Sequence, residues 1–406
     1  MGRLLIRVCA AGLLLSTPVL AAQDLDLDVD LRAVSSDATP SRLDGGLGKL
    51  RYDAQHDGLR LGDLRLGYHG DLTTTLHVTA EAVAYGDHDV NPVDLTELYA
   101  EWRPIPVSAW RSRLKVGAFY PEISLENRMH GWQSPYTLSF SALNTWVGEE
   151  LRTIGAQYNL DWLGRAHGHS VDVSLNAAVF GWNDTAGTVL AARGWGITDR
   201  QSTLFGRFAN GGRPLLARTL FYDELDHRAG YSLGLNVKYA GRLEGRALHY
   251  DNRANPAVVA AAIQDTGWDT YFDSLGLRWT PTAEWTAISQ WLHGRTYAGN
   301  VAPVNAWSYD AEFLLLSWRH GATRLSARYD RFATHQTTSD FYEYVDLYFG
   351  DRGHAWTLAC DRQLNAHWNI ALEGIELSSW VAQRALIGAA PQATERQLQL
   401  AVRYAL

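Results

Sequence analysis

Hydrophobic and polar residues alternate along many short stretches of this chain. In "ERQLQLAVRYAL", Leu398, Leu400, Val402, Tyr404 and Leu406 alternate with polar or small residues. The stretches "SVDVSLNAAVFGW", "YSLGLNVKY", "RLKVGAFY" and "RLSARYD" repeat this pattern. A strict period of two predicts β-strands with one apolar face and one wet face. Strands of about a dozen residues, such as the final one, are longer than most strands of soluble proteins.

Short turns alternate with longer loops between these stretches. Outer-membrane barrels have short periplasmic turns and longer extracellular loops. The longer loops here are 121–149, 182–228, 253–269, 333–352 and 380–394. The sequence therefore predicts an all-β fold, a transmembrane antiparallel up-and-down barrel of about 16 strands, with 14 to 18 compatible. The predicted strands lie near 24–34, 57–69, 73–85, 94–103, 110–120, 150–160, 170–181, 229–240, 243–252, 270–280, 284–296, 307–318, 322–332, 353–363, 367–377 and 395–406.

Aromatic residues cluster where the predicted strands meet the short turns. Amphipathic rings favour the headgroup level of a membrane, so this cluster predicts a periplasmic girdle. The alternative is ring packing at the ends of a soluble sandwich, which fits strands of this length and number less well. The residues are Tyr68, Trp102, Trp110, Trp162, Tyr239, Trp279, Trp285, Trp318, Trp368 and Tyr404.

The stretch "MGRLLIRVCAAGLLLSTPVLAAQ" at the N-terminus has the three zones of a secretory signal. Its apolar run is too short for a membrane anchor, so we expect a signal peptide over 1–22 and one barrel domain over 23–406. Cleavage would leave Cys360 as the single cysteine, which excludes an intrachain disulfide. These features predict a location in the bacterial outer membrane.

The chain is acidic, with a formal charge of -8. Removing residues 1–22 deletes two arginines and no acidic residue, which changes this charge to -10. An acidic chain argues against nucleic acid as a partner. Lysines are scarce, and stand at Lys49, Lys115 and Lys238.

With these features the chain resembles a Gram-negative outer-membrane porin. The stretch "KVGAFYPEISLENRMHGWQSPYTLSFSALNTWVGEELRTIGAQY" is similar in layout to the phosphate-selective porin O-and-P class, in which a strand leads into a Pro-containing loop and then into a Gly-Glu…Arg…Gly strand. The resemblance implies a loop, here 121–149, that folds inward and narrows the channel, and a C-terminal strand that signals to the assembly machinery. It also implies a trimer. Phosphate selectivity in that class looks lysine-based, and we do not extend it to this lysine-poor chain.

Charged residues of the predicted loop and lumen are the candidate functional residues. The loop carries Glu122, Glu126, Arg128 and Glu149; the strands next to the closing seam carry Arg32, Arg60, Arg65 and Arg403; other lumen positions are Glu81, Glu97, Glu101, Lys115, Arg324 and Arg328. An acidic loop that faces a basic wall would set a transverse field, order water and favour polar solutes. The alternative is a solvated lumen wall without such a field.

These patterns favour a water-filled channel for passive diffusion of small polar or charged solutes. The alternatives are an outer-membrane receptor or adhesin and, less favoured, a barrel hydrolase, since none of the 14 histidines is followed by Ser two residues later. We expect no cofactor and no metal, because His167 and His169 lack a third ligand nearby in sequence. Segment 182–228 is predicted to cap or enter the pore, to bind a partner or to form a surface loop. Expected partners are outer-membrane lipid, lipopolysaccharide, the barrel assembly machinery and small polar solutes.

Overall fold

Sixteen antiparallel strands close into one barrel. The computed structural model describes residues 23–87, 93–207, 220–260, 265–299, 305–336 and 350–406. The ring closes because β1 (Gln23–Ser36) pairs with both β2 (Gly58–Asp71) and the last strand, Gln392–Ala405. The predicted fold class and strand number are confirmed. The predicted signal peptide and parts of loops 182–228 and 333–352 lie outside the described residues.

The other strands follow one another around the ring in chain order, except that β10 (Val259–Ala260) and β11 (Asp265–Thr266) lie outside it. They are β3 (Leu76–Ala84), β4 (Val93–Trp102), β5 (Trp110–Phe119), β6 (Thr153–Trp162), β7 (Val171–Gly181), β8 (Gly230–Tyr239), β9 (Leu243–Asp251), β10 (Val259–Ala260), β11 (Asp265–Thr266), β12 (Asp269–Trp279), β13 (Trp285–Ala298), β14 (Asn305–His320), β15 (Thr323–Gln336), β16 (Asp351–Gln363), β17 (Trp368–Val381) and β18 (Gln392–Ala405). The pair β10 and β11 forms a separate hairpin, so β9 pairs with β12 in the barrel.

The barrel is apolar outside and polar inside. On β18, Leu398 and Leu400 are 53% and 45% exposed, whereas the alternating Gln397 and Gln399 are almost fully buried. This arrangement is the reverse of a soluble strand and is typical of a barrel that faces lipid. Large aromatic side chains, among them Trp102, Trp110, Trp279, Trp285 and Trp368, are exposed next to the short turns. In the described ranges no helix is long and apolar enough to cross a membrane.

In the described part of the chain, three long connections enter the barrel from the end opposite the short turns. We call them the first inward loop (37–57), the second inward loop (120–152) and the third inward loop (182–207 and 220–229). The second loop contains helix α1 (Ala142–Glu150), and the third contains α2 (Thr188–Arg193). Single 3-10 turns occur at Arg42–Asp44, His130–Trp132, Arg165–His167 and Ala382–Ile387.

An apolar core lies within the lumen where these loops meet the wall. Trp146 of α1 contacts Trp195 of the third inward loop and Phe272 and Tyr309 of the wall, with ring centroids 5.2–5.9 Å apart. Trp146 and Trp195 are 0–1% exposed. The long-loop half of the barrel is therefore packed like a protein interior, and the short-turn half is more open.

Candidate functional site

The second inward loop, which includes the predicted constriction loop 121–149, is fixed to the far wall of the lumen. Its Glu126 Oε1 lies 2.7 Å from Arg328 Nη1 on β15, and Arg328 Nε lies 2.8 Å from Asp330 Oδ2. All three side chains have no solvent exposure. Arg328 also donates to the carbonyl oxygens of Ser139 and Phe140 at 2.7 and 2.9 Å. The Arg328 guanidinium group thus binds both a side chain and the backbone of the loop.

Two further wall residues hold the backbone of this loop. The Glu373 carboxylate on β17 accepts hydrogen bonds from the N–H groups of Leu138 and Ser139. Gln290 on β13 accepts from the N–H of Leu125 at 3.3 Å and donates to the carbonyl of Ile123 at 3.2 Å. The loop therefore spans the lumen, because β13 and β17 lie across the ring from β5 and β6.

Each of the other predicted loop residues has its own polar partner. Glu149 forms a buried ion pair with Arg42 of the first inward loop. Arg128 lies 2.6 Å from Glu244 on β9. Glu122 accepts hydrogen bonds from the side-chain amides of Gln157 and Asn159, both at 3.0 Å. The acids of this loop are thus each paired locally, Glu149 with a basic side chain and Glu122 with two side-chain amides.

The predicted seam arginines meet an acid that the sequence analysis did not select. Asp199 of the third inward loop lies 2.6 Å from Arg32 and 2.9 Å from Arg51. Burial raises the pKa of Asp199, but the charges of both arginines outweigh that effect and hold it well below its ordinary value. The structure brings Arg32 together with Asp199 and not with Glu126 or Glu149.

The remaining seam arginines are also engaged. Arg65 lies 3.1 Å from Asp63 and donates to Gln201 of the third inward loop at 2.8 Å. Arg403 lies 3.0 Å from Asp30, which also pairs with Arg32. Arg60 donates to the backbone carbonyl of His56 at the long-loop end. Acidic neighbours interleave with the arginines along this wall.

The other predicted lumen residues are spread over both sides of the ring. Among the acids, Glu97 accepts a hydrogen bond from the N–H of Tyr120, Glu101 lies 3.6 Å from Arg113, and Glu81 lies 3.0 Å from His69. Among the basic residues, Lys115 lies over the Tyr99 ring and Arg324 lies over the Tyr136 ring. These contacts place opposite charges and rings beside one another. The structure does not bring this set into a single cluster.

Sequence reasoning missed the basic residues of the first inward loop. Arg42, Lys49 and Arg51 are almost fully buried and pair with Glu149, Asp351 and Asp199, respectively. The segment "GKLRYD" shows apolar and basic residues in alternation, and this pattern was the local sign that its basic residues could be buried. Their partners are 107 to 302 residues away, which no local pattern indicates.

A vestibule opens at the short-turn end of the lumen. This cavity has a volume of about 470 Å³ and is lined by residues of the second inward loop, including Tyr136 and Leu138, and by Arg324, Asp361 and Arg403 of the wall. Mixed charges and a polar wall suit small hydrated solutes. The vestibule ends against segment 133–138 of the second inward loop.

A Gly-x-Ser-x-Gly spacing occurs at "GYSLG", residues 230–234. A hydrolase with this motif holds its serine on a sharp strand-to-helix turn. Here Ser232 lies within β8, pairs in register with Ala178 of β7 and is 1% exposed. This serine therefore has the setting of a lumen wall residue.

The barrel resembles solved outer-membrane channels in fold. The outer membrane channel DcaP of Acinetobacter baumannii matches with a TM-score of 0.57 and 10% identity, over 97% of this chain and 99% of that chain. OmpF of Salmonella typhi, solved with daunomycin, matches with a TM-score of 0.54 and 9% identity, over 95% and 97%. An anion-selective porin from Comamonas acidovorans matches with a TM-score of 0.52 and 12% identity, over 95% and 99%. No family model matches the sequence, and no curated protein does.

Proposed function

We propose that the protein is a channel of the bacterial outer membrane through which small polar or charged solutes diffuse passively. The observation that carries the proposal is the closed sixteen-strand ring with an apolar exterior and a charged lumen. A ring of this size encloses an aqueous space in known barrels. The solved structures with the same fold include channels, which supports this function. The likeness in fold to outer-membrane channels also supports the predicted location in the bacterial outer membrane.

Diffusion in this barrel is restricted by the inward loops. The charged vestibule admits solutes at the short-turn end, which faces the periplasm in outer-membrane barrels. Beyond it, solutes must pass the second and third inward loops, which buried ion pairs hold against the wall. We therefore expect small unitary currents, because the loops narrow the aqueous cross-section.

Planar-bilayer recording of the refolded mature chain tests the proposal. Stepwise currents are expected, and their reversal potential in a salt gradient gives the sign of ion selectivity. A heat-modifiable shift in gel migration must first demonstrate the folded barrel. Silence from a demonstrably folded barrel over many insertions would overturn the channel.

A closed receptor barrel is the second candidate function. The observation that favours it is the apolar core inside the lumen, with Trp146 and Trp195 packed as in a protein interior. A lumen sealed by such a core would present its outer loops to a ligand without passing solutes. The bilayer experiment separates the two candidates, since the receptor predicts a folded and silent barrel.

Several expected partners remain predictions. A homotrimer, contacts with lipopolysaccharide and outer-membrane lipid, and assembly through β18 all follow from the porin-like architecture. The less favoured hydrolase alternative gains no support from Ser232, which is 1% exposed within β8, or from the sequence, which has no His-x-Ser spacing. Cross-linking in native membranes would measure the subunit number directly.

A further inference from the structure

Two histidines and two carboxylates meet on the lumen wall beside the tip of the second inward loop. His69 Nε2 lies 3.3 Å from Asp26 Oδ2 and 3.0 Å from Glu81 Oε1. His130 Nδ1, at the loop tip, lies 3.9 Å from the same Asp26 oxygen. Asp26, His69 and His130 each offer one ligand atom, and these three atoms all lie within 4.8 Å of one another. We propose that this cluster binds one divalent transition-metal ion of the Zn²⁺ class.

The donor set matches the chemistry of such an ion. Zn²⁺ takes His nitrogen and carboxylate oxygen ligands at about 2.0–2.2 Å, so two donors of one ion lie at most about 4 Å apart. Asp26 Oδ2 lies 3.3 Å from His69 Nε2 and 3.9 Å from His130 Nδ1, and both separations meet this limit. Asp26 and Glu81 supply two negative charges, which balance a divalent cation. Imidazole ligands favour Zn²⁺, Ni²⁺ or Cu²⁺ over Mg²⁺ or Ca²⁺.

The histidine nitrogen at the centre of the cluster has no hydrogen bond. His69 Nε2 is buried and lacks a hydrogen-bond partner, although two carboxylate oxygens lie within 3.3 Å. Its other ring nitrogen, Nδ1, lies 3.4 Å from Thr79 Oγ1. A histidine ligand commonly donates its second ring N–H to an oxygen acceptor, which leaves the first nitrogen free to bind metal. The Thr79 hydroxyl oxygen is the acceptor beside Nδ1. A cation bound by Asp26, His69 and His130 would give Nε2 the partner that it lacks.

The strand register leaves space for the ion. Asp26, Gly67 and Glu81 occupy one row across β1, β2 and β3. A Cβ atom at Gly67 would lie 3.1 Å from Glu81 Oε1 and 3.2 Å from His69 Nε2. The glycine therefore keeps open the position between these donors, which any larger side chain would fill.

The loop tip that carries His130 is anchored in place. The carbonyl of Gly131 accepts hydrogen bonds from Arg65 at 3.2 Å and from Gln201 at 2.9 Å. The His130 ring lies 4.6 Å from the His69 ring, centroid to centroid, and stays accessible with 68% of its side chain exposed. A bound ion would tie the second inward loop to β1 and β2, at a place that solvent reaches.

The other carboxylate and histidine clusters of the described residues are less suited to a metal. In the group of Asp44, Asp53 and His56, the Asp53 Oδ1 atom already accepts from two backbone N–H groups and lies 2.8 Å from His56. A further group consists of acidic residues whose oxygens accept from backbone N–H groups. The first group has one histidine and the second has none.

Calorimetric titration of the folded, EDTA-treated barrel in detergent with ZnSO₄ tests the site. We expect saturable binding of one Zn²⁺ per chain. His69→Asn and His130→Asn should each weaken it at least about 100-fold, Gly67→Ala should weaken it by steric occupation, and Thr79→Val should weaken it about tenfold. His130→Asn changes an exposed side chain, so it keeps the test valid if the His69 variant misfolds.

The matched control is His293→Asn, which removes a histidine that lies 2.7 Å from Asp310 on β13 and β14, remote from the cluster. Its affinity should equal that of the native chain. Absence of saturable binding, or binding by the His69 and His130 variants equal to native, would overturn the site, as would an equal loss in the control. Because the titration needs no conduction, failure of the metal site leaves the channel proposal intact, and silence in bilayers leaves the metal site intact.

Discussion

At the residue scale, the lumen is organised by guanidinium groups that hold loop segments to the wall. Arg328 contacts two carboxylates and two backbone carbonyls in a place without solvent. A buried charge of this kind is tolerated only because its partners compensate for its desolvation. Removing it leaves two buried carboxylates with one cation fewer between them. The position of the second inward loop therefore depends strongly on this one side chain.

Replacing Arg328 with Met tests this dependence. We expect the free energy of unfolding to fall by about 3–5 kcal/mol, the usual cost of breaking a buried ion pair from one side. Urea unfolding in lipid vesicles, followed by tryptophan fluorescence, measures the change. Arg331→Met is the matched control, since Arg331 lies on the same strand with 71% of its side chain exposed and pairs with exposed Glu312. An equal loss in both variants would contradict the assigned role of Arg328.

The sequence predicted which residues line the lumen better than it predicted what they contact. Period two assigns Arg32, Arg65 and Arg328 to the inward face, because register fixes the side of each strand residue. It gives no information on the pairing of Arg328 with Glu126, which are 202 residues apart. The metal-ligand cluster was missed for the same reason, since Asp26, His69 and His130 come from two strands and a loop.

At the element scale, strands and inward loops differ in how far the sequence determines them. The predicted strand 170–181 agrees with β7 (Val171–Gly181) within one residue, and the predicted strand 353–363 agrees with β16 (Asp351–Gln363) within two. Alternation identifies strands because one face meets lipid along its whole length. The first inward loop was not predicted to enter the lumen, because loops lack a periodic pattern and their burial depends on long-range partners. The sequence predicts that segment 182–228 caps or enters the pore, binds a partner or forms a surface loop, and Val189 and Trp195 of its described part pack in the core inside the lumen.

The third inward loop is latched to the barrel seam by Asp199. Asp199→Asn removes the charge that both Arg32 and Arg51 contact. We expect a higher mean current and more frequent open events in planar bilayers, because the loop loses its ion pairs with Arg32 and Arg51. Asp223→Asn, in the same loop but without contact to these arginines, is the control. Unchanged currents in the Asp199 variant would show that other contacts hold the loop.

The same latch predicts how the channel responds to acid. A carboxyl whose pKa is lowered on folding contributes stability above its unfolded pKa, and loses that contribution only as the pH falls through the folded value. The pKa of Asp199 is held well below its ordinary value, so the latch should stay charged between pH 7 and pH 5. Native open probability should therefore change little over that interval. A steep rise in open probability between these pH values would contradict the assignment.

At the scale of the whole molecule, one closed sheet has an apolar outer face suited to lipid and an inner face that carries charged and polar residues. Exposed leucines cover the outside, while the inside holds both a charged vestibule and an apolar core of inward loops. The closed ring satisfies every strand edge, which a membrane requires. The packed position of the second inward loop depends on the finished ring, because its partners lie on β13, β15 and β17.

The membrane-facing role of the outer surface can be tested with one substitution. Leu358 lies in the middle of β16 and is 62% exposed, so Leu358→Arg would cost little in a water-soluble protein. At the midplane of a bilayer the same change on a lipid-facing position costs about 2–4 kcal/mol, and near the interfaces it costs about 0–1 kcal/mol. Ile387→Arg is the matched control, because Ile387 is 72% exposed in the 3-10 turn Ala382–Ile387 of an outer loop. Unfolding free energies measured in phosphatidylcholine vesicles should fall for Leu358→Arg and stay near native for the control. Equal values for the two variants would place β16 in water and would remove the basis for a transmembrane barrel.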